Sequence, residues 1–169
     1  PLYDLTLRQR EANSRFGCSA KNTLSIAQAR YERHKLITYP RTDSRCLPED
    51  YLPTVEKVVA RQREWQYGRF AAEALSKKYI RKDKRIFDNR KVSDHFAIIP
   101  TASLPKTLSD AELKIYQMIV QRFLATFFPA AVYHNTRRLS LVAGETFLTE
   151  GKILVEPGWK AVYGSVSEG

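Results

Sequence analysis

The sequence lacks the features that mark several broad classes of protein. No apolar run approaches the roughly 20 residues that a helix needs to span a bilayer, so we expect no membrane protein. No basic and apolar leader opens the chain, which argues against a secretory signal. Only two cysteines are present, Cys18 and Cys46, and we interpret both as free intracellular thiols. A disulfide between them is the alternative, but nothing in the sequence points to an oxidising compartment.

Positive charge is what the sequence has in excess. Its 169 residues include 28 Lys and Arg against 18 Asp and Glu, while 43% hydrophobic residues suffice for a core. Residues 1–100 hold 21 of those cations and 12 of the acids, and residues 101–169 hold 7 and 6. A positive field over the first hundred residues favours a polyanion such as nucleic acid as partner. On charge alone, a basic surface with no specific partner is equally acceptable.

Helical patterns dominate the first part of the chain. Two helices joined at Gly17 open it, and their connection is similar to a helix-turn-helix, a weak signal that many folds share. Ser109 and Glu112 form a capping box at the start of the clearest helix. The predicted helices cover residues 4–17, 20–31, 48–67, 69–80 and 110–127.

The hydrophobic period changes after Pro129, which ends the last helix. Runs of β-branched and apolar residues at 131–143 and 146–155 predict short antiparallel strands separated by a turn at Gly144. Strands after a run of helices predict an α+β chain or two domains. We expect a helical unit over 1–129, a strand segment over 130–164 and a tail over 165–169.

A dense run of cations lies between the helical patterns. Residues 77–91 hold eight Lys and Arg, with Asp83 and Asp88 as the only acids. We expect an exposed loop or a ragged helix end there, and the sequence assigns it no role.

The segment that carries candidate catalytic residues is 36–44, which reads Leu-Ile-Thr-Tyr-Pro-Arg-Thr-Asp-Ser. Pro40 excludes helical backbone at Tyr39 and predicts that this tyrosine sits on extended chain. A tyrosine hydroxyl, with a pKa of about 10, is a weak nucleophile until it is activated. Arg41 follows on the same side of an extended backbone, where its guanidinium can hold a phosphate. The alternative is a surface tyrosine in a turn, with Arg41 in an ion pair with Asp43.

Three motifs, in order, resemble those of the type IA DNA topoisomerases. Segment 36–44 resembles the family's active-site tyrosine motif, and its Tyr-Pro-Arg form is closer to the topoisomerase III branch. Residues 27–32, Ala-Gln-x-x-Tyr-Glu, resemble the helix before that tyrosine. Residues 94–101 resemble the family's His-x-Ala-Ile-Ile-Pro-Thr segment, although Phe96 replaces a residue that is more often polar or basic. The resemblance runs from about residue 5 to Trp159.

The resemblance implies a role for each of six side chains. Tyr39 would cleave one DNA strand through a 5′-phosphotyrosine link, and Arg41 would bind the scissile phosphate. Another strand would then pass before religation. The expected supporting residues are His95 as a phosphate or DNA-backbone ligand, Asp43 as the residue that orients Arg41, and Thr38 and Gln28 as further DNA contacts.

The resemblance also implies parts that this chain lacks. In the family, a Toprim-type domain holds Mg²⁺ with clustered acids, whereas the acids here are scattered without D-x-D spacing. We therefore expect no metal ligand in this chain, and Mg²⁺ only in a parent enzyme. A chain that starts at Pro1 agrees with a piece of a longer protein, in which the helical unit bears the tyrosine and the strands belong to an arched β domain. The isolated chain is expected to bind DNA without relaxing it.

The expected partners are DNA, preferably single-stranded, and the remaining domains of the parent, with no membrane. We expect a monomer in the bacterial cytoplasm, associated with the nucleoid. The main alternative is a non-catalytic helix-turn-helix DNA-binding module, which would prefer duplex of defined sequence. A tyrosine recombinase is disfavoured. Such enzymes usually place the catalytic tyrosine near the C-terminus, after several Arg and His residues, whereas Tyr39 lies near the start of this chain. A protein-interaction role in a repair complex stays open.

Overall fold

The computed structural model describes residues 1–164, which form five α-helices, a β-hairpin and short 3₁₀ and π segments. The helices are α1 (Leu5–Phe16), α2 (Ala20–Ala29), α3 (Leu52–Gln62), α4 (Gly68–Ser76) and α5 (Asp110–Phe127), and the strands are β1 (Val132–Val142) and β2 (Glu145–Glu156). The predicted α+β class is confirmed. The predicted tail at 165–169 lies outside the described residues. Within 1–164, no helix combines the length and the apolar character needed to cross a membrane.

The two opening helices have the predicted boundaries because their caps are local. Asp4 begins α1 by accepting a hydrogen bond from the Leu7 N–H at 2.7 Å. Gly17 ends α1 in the left-handed conformation, with φ of 66°. Ser19 begins α2 by accepting from the Asn22 N–H at 3.1 Å. A π segment, Arg30–His34, extends α2 toward the tyrosine segment.

The third helix is shorter than predicted. A 3₁₀ turn, Glu49–Tyr51, precedes it, and α3 ends at Gln62 rather than near Tyr67. The chain then doubles back so tightly that a Cβ at Gly68 would lie 2.3 Å from the Arg63 carbonyl oxygen. Only glycine fits this close approach, and the turn separates α3 from α4.

The core gathers around α5. Ser109 caps this helix by accepting from the Glu112 N–H at 3.3 Å, as predicted. Ten of its 18 residues are buried, including Ile115, Tyr116 and Phe123. Helices α2 and α4 pack against it, and the 3₁₀ helix Gly158–Tyr163 closes one end. The helical body is therefore held by one shared apolar centre.

The hairpin projects from this body. Its strands are 11 and 12 residues long, longer than the short strands predicted, and pair antiparallel along their whole length. Ala143 and Gly144 both have positive φ, 51° and 81°, as a two-residue hairpin turn requires. No residue of either strand is buried.

Candidate active site

The tyrosine segment is anchored by a second extended segment, residues 97–101. The Thr38 N–H donates to the Ile99 carbonyl at 3.0 Å, and the Thr101 N–H donates to the Leu36 carbonyl at 2.9 Å. Between these bonds, Ile37 forms an antiparallel bridge with Pro100. The motif around Tyr39 and the motif around His95, far apart in the chain, therefore lie side by side.

The Thr38 hydroxyl strengthens the same connection. It donates to the Ala97 carbonyl at 2.9 Å and accepts from the Ile99 N–H at 3.0 Å. Both contacts are to the protein backbone and fix the residue beside Tyr39, while the predicted DNA contact of Thr38 stays a prediction.

Segment 97–101 is itself fixed from its other side. The Ile98 N–H donates to the Tyr3 carbonyl and the Ala97 N–H to the Cys46 carbonyl, both at 2.9 Å. Ala97, Ile98 and Ile99 are buried. Because these buried amide groups are paired, the segment is a rigid support for the tyrosine.

Tyr39 lies in a small aromatic cluster at the surface of the body. Its ring is half-buried and stacks on His95, with ring centroids 4.0 Å apart and planes 25° apart. The edge of a second ring, Tyr31, meets Tyr39 at 5.4 Å and 84°. Tyr31 comes from the π segment that extends α2. His95 and Tyr39, both expected in the site, are thus in direct contact, but neither this stacking nor the contact with Tyr31 was predicted from the sequence.

Other tyrosines are poorer candidates for a nucleophile. Burial raises the pKa of Tyr116 to about 12, and it raises the pKa of Tyr3 further. Burial also raises the pKa of Tyr163, Tyr51 and Tyr67. A raised pKa makes the phenolate harder to form, so burial disfavours nucleophilic attack by these hydroxyls.

The Arg41 side chain lies beside α2 and forms no ion pair with Asp43 in the described structure. It is exposed and lines a shallow groove of about 460 Å³ together with Gln28, Ser25 and Lys21. Gln28 is half-buried, and its amide donates to the Glu32 carboxylate at 2.5 Å. Arg41 and Gln28 are therefore brought together, as a shared role in DNA contact requires.

Asp43 does not form the expected contact. Within residues 1–164, no ion pair or hydrogen bond joins its carboxylate to Arg41, and both side chains are exposed. Thr42 between them is buried, and its carbonyl accepts from the Leu5 N–H at 2.8 Å. This bond holds the backbone so that Arg41 and Asp43 project to solvent separately.

The sequence did not predict that two arginines near the site are buried. Arg8 of α1 is fully buried, and its guanidinium donates to the carbonyl of Pro40 at 3.4 Å. Burial lowers the pKa of Arg8 to about 10, so it stays charged at neutral pH. Arg30 is also fully buried and pairs with Glu112 at 2.6 Å. Helical spacing from Leu5 through Arg8 to Ala12 was the signal that could have placed Arg8 inside.

The described part of the chain, residues 1–164, offers no site that fits Mg²⁺. Among residues 1–164, no three His, Cys, Asp or Glu side chains are close enough to share a metal ion. Mg²⁺ prefers several oxygen ligands in octahedral geometry, and the carboxylates here are dispersed or engaged with arginines. The residues present therefore do not fit the ion that the family resemblance implies.

Comparison with known proteins identifies the family of this chain. The family model described as DNA topoisomerase matches residues 1–169. The chain belongs to that family, the type IA DNA topoisomerases.

Within the family, the similarity is to topoisomerase 3. The chain is 46% identical to DNA topoisomerase 3 of Bacillus subtilis (strain 168) and 45% identical to that of Bacillus licheniformis, over 99% of this chain in both cases. It spans 23% of the length of these relatives. The fold matches full-length topoisomerase I from Thermotoga maritima, with a TM-score of 0.64 and 24% identity, over 98% of this chain and 27% of that one.

Proposed function

We propose that this chain is the tyrosine-bearing part of a larger topoisomerase III-like enzyme that cleaves one DNA strand, passes another and religates the first. The observation that carries the proposal is the Tyr39 ring, stacked on His95 at 4.0 Å and fixed by the paired segments below it. A nucleophile in one fixed orientation needs little further ordering before it reacts.

The proposed reaction is a reversible transfer of a phosphodiester. The Tyr39 oxygen attacks the phosphorus, the bond from phosphorus to the 3′ oxygen breaks, and the 5′ phosphate becomes linked to the tyrosine. The tyrosine hydroxyl loses a proton and the leaving 3′ oxygen gains one. Attack by that 3′ hydroxyl on the phosphotyrosine reverses each step and restores the strand.

The neighbouring side chains divide the remaining work. Arg41 is exposed beside the tyrosine segment, and its guanidinium suits bidentate binding of the scissile phosphate. His95 keeps the phenol ring in place and faces solvent, where it can donate to a phosphate oxygen. We assign Thr38 to positioning, Gln28 to DNA contact in the groove with Arg41, and Asp43 to a solvent-facing supporting role.

The rest of the machinery lies in the parent enzyme on this proposal. A Toprim-type domain would bind Mg²⁺. Residues 1–129 would form the tyrosine-bearing domain and 130–164 part of the arched β domain. The enzyme would act as a monomer on single-stranded DNA in the bacterial cytoplasm, consistent with its bacterial relatives.

The test is covalent capture by the full-length enzyme. End-labelled single-stranded DNA is incubated with Mg²⁺, the reaction is stopped with denaturant, and labelled protein is measured for wild type, Tyr39→Phe and Tyr31→Phe. We expect an adduct in wild type and in Tyr31→Phe, which keeps the aromatic contact, and none in Tyr39→Phe. An adduct that survives Tyr39→Phe would overturn the site assignment.

A second experiment separates this proposal from a non-catalytic DNA-binding module. We expect the isolated chain to bind single-stranded DNA more tightly than duplex and to leave supercoiled plasmid unchanged with Mg²⁺. Relaxation by the isolated chain would contradict the need for other domains. A preference for one duplex sequence, with no adduct from the full-length enzyme, would favour the regulator.

A further inference from the structure

A second concave surface lies away from the tyrosine. It is a cavity of about 950 Å³ between residues 77–86, which follow α4, and the end of α5. Trp159 and Tyr163 of the 3₁₀ helix Gly158–Tyr163 complete its wall. No residue of 36–44 or 94–96 lines it. We refer to it as the α4–α5 groove.

The acids along this groove are already neutralised. Asp83 is engaged by Arg85, with a guanidinium nitrogen 2.8 Å from the carboxylate, and this contact lowers the pKa of Asp83. Glu73 of α4 pairs with Lys77 at 3.0 Å. These acids neutralise Lys77 and Arg85, and a third lining cation, Arg122, pairs with Glu11 at 3.9 Å.

Lys78 and Arg81 are the uncompensated cations that line the groove. Both are exposed, and neither forms an ion pair with any residue of 1–164. Lys82 and Lys84 of the same segment are also exposed and form no ion pair with any residue of 1–164. A surface of this charge attracts phosphates, and each phosphate bound releases a counterion.

The backbone holds Lys78 at the rim in an unusual conformation. Its φ is 54°, in the left-handed region that glycine usually occupies after a helix. The turn is closed by bonds from the Lys78 N–H to the Leu75 carbonyl at 3.2 Å and from the Tyr79 N–H to the Ala74 carbonyl at 2.9 Å. A non-glycine outlier of this kind is a reason to look for function at the residue.

Aromatic rings line the same groove as the cations. Trp159 is 41% exposed, and its contact with Tyr163 is edge-to-face, with centroids 6.0 Å apart. Tyr79 is half-buried and meets Phe128 at 5.1 Å in the same manner. Unpaired cations beside partly exposed rings are the combination with which proteins bind single-stranded nucleic acid, because phosphates and bases are contacted together.

We propose that the α4–α5 groove is a second site for single-stranded DNA, distinct from the strand site at Tyr39. Lys78 and Arg81 contact successive phosphates, and a base stacks on Trp159. This second site rests on the proposed function in one respect, because the groove and the site at Tyr39 are both proposed to bind single-stranded DNA. It gives the basic stretch 77–91 a role that the tyrosine chemistry does not.

The test measures binding of a thymidine oligonucleotide of roughly 15 nucleotides, about one site size, to the chain. Fluorescence anisotropy compares wild type, Lys78→Glu/Arg81→Glu and the matched control Lys57→Glu/Arg63→Glu, which reverses two exposed, unpaired cations near α3. We expect the groove pair to weaken binding about tenfold and to lower the salt slope by about 1.4, since each phosphate contact contributes about 0.7. The control should change affinity much less.

Trp159 provides a local readout. With Trp65→Phe it is the remaining tryptophan, since the chain has two, and stacking of a base should quench its emission. Equal weakening by the groove and control pairs, or unchanged Trp159 emission at saturation, would overturn the groove. Thermal unfolding confirms that the exposed substitutions leave the fold intact.

The two proposals fail separately. Groove variants of the full-length enzyme should still form the Tyr39 adduct with a short oligonucleotide. In the chain with Tyr39→Phe, bound DNA should still quench the emission of Trp159. Loss of the adduct in the groove variants would contradict a distinct site. Absence of any adduct in wild type would remove the proposed cleavage but leave the binding result standing.

Discussion

The helical body and the hairpin have similar fractions of apolar residues, but they bury them to very different extents. Helix α5 buries ten of its 18 residues, whereas no residue of β1 or β2 is buried. Leu139 and Leu141 are 72% and 75% exposed. The body therefore has its own core, while the hairpin presents apolar side chains to whatever lies beyond it.

The uncovered hairpin agrees with the proposal that this chain is part of a larger enzyme. A lone two-stranded hairpin is marginal in water, and exposed apolar strands are covered in soluble proteins. The proposed membership of residues 130–164 in an arched β domain would supply that cover. Tyr39, in contrast, rests wholly on contacts within residues 1–129.

The largest expected contrast is between two phenylalanines. Phe123 of α5 is fully buried, and Phe123→Ala should lower the free energy of unfolding by about 3–5 kcal/mol through lost burial and a cavity. Phe147 of β2 is 51% exposed, and Phe147→Ala should change it by less than about 1 kcal/mol. Urea unfolding of the chain measures both. Similar losses for the two variants would show that the hairpin is part of the core.

The next contrast is between two ion pairs. Arg30, fully buried, pairs with Glu112, whose side chain is 28% exposed. Glu112→Gln leaves a buried charge without its counterion and should cost about 2–4 kcal/mol, reduced by the partial exposure of the carboxylate. Glu150→Gln breaks the exposed hairpin pair with Arg137 and should cost less than about 1 kcal/mol. A larger loss for Glu150→Gln would contradict this order.

A smaller contrast concerns two threonines. Thr38→Val leaves the Ile99 N–H and the Ala97 carbonyl without their hydroxyl partner and should cost about 1–3 kcal/mol. It should also reduce covalent capture by the full-length enzyme, because Tyr39 is less firmly held. Thr149→Val, at an exposed strand position, should be nearly neutral in both assays. Normal capture by a destabilised Thr38→Val would refute the positioning role.

The smallest expected effect is a dependence on pH. Hydrogen bonding to Arg90 lowers the pKa of the buried Asp88 carboxyl from its usual 3.8. A carboxyl with a lower pKa in the folded state stabilises the fold above its unfolded pKa, and this contribution disappears as the pH falls through the folded value. Asp88→Asn should therefore flatten the decline in melting temperature below about pH 4. The hairpin control Glu145→Gln, which breaks no ion pair, should leave that decline unchanged.

Much of the secondary structure was predictable because its signals are local. The caps at Ser19 and Ser109 and the stop at Gly17 each act within a few residues, and the helices they bound were predicted closely. The predicted end of α3 was wrong because apolar residues continue past Gln62. The turn after the helix depends on the close approach of Gly68 to the Arg63 carbonyl, which the apolar pattern does not indicate.

The candidate site was only partly predictable. Its residue types were recognised from three motifs, but the expected contact between Arg41 and Asp43 is absent from the described structure. The sequence also did not predict that the Thr38 hydroxyl bonds to a segment about 60 residues away.

By itself, the sequence determined the helices, the two strands, the positive charge of the first hundred residues and the membership of a topoisomerase family. These follow from short-range capping, periodicity and residue identity. Only the tertiary structure decided that His95 stacks on Tyr39, that Arg8 and Arg30 lie inside, and that the hairpin is uncovered. Those outcomes depend on which distant segments satisfy each other's buried backbone groups, and that pairing is settled only when the core forms.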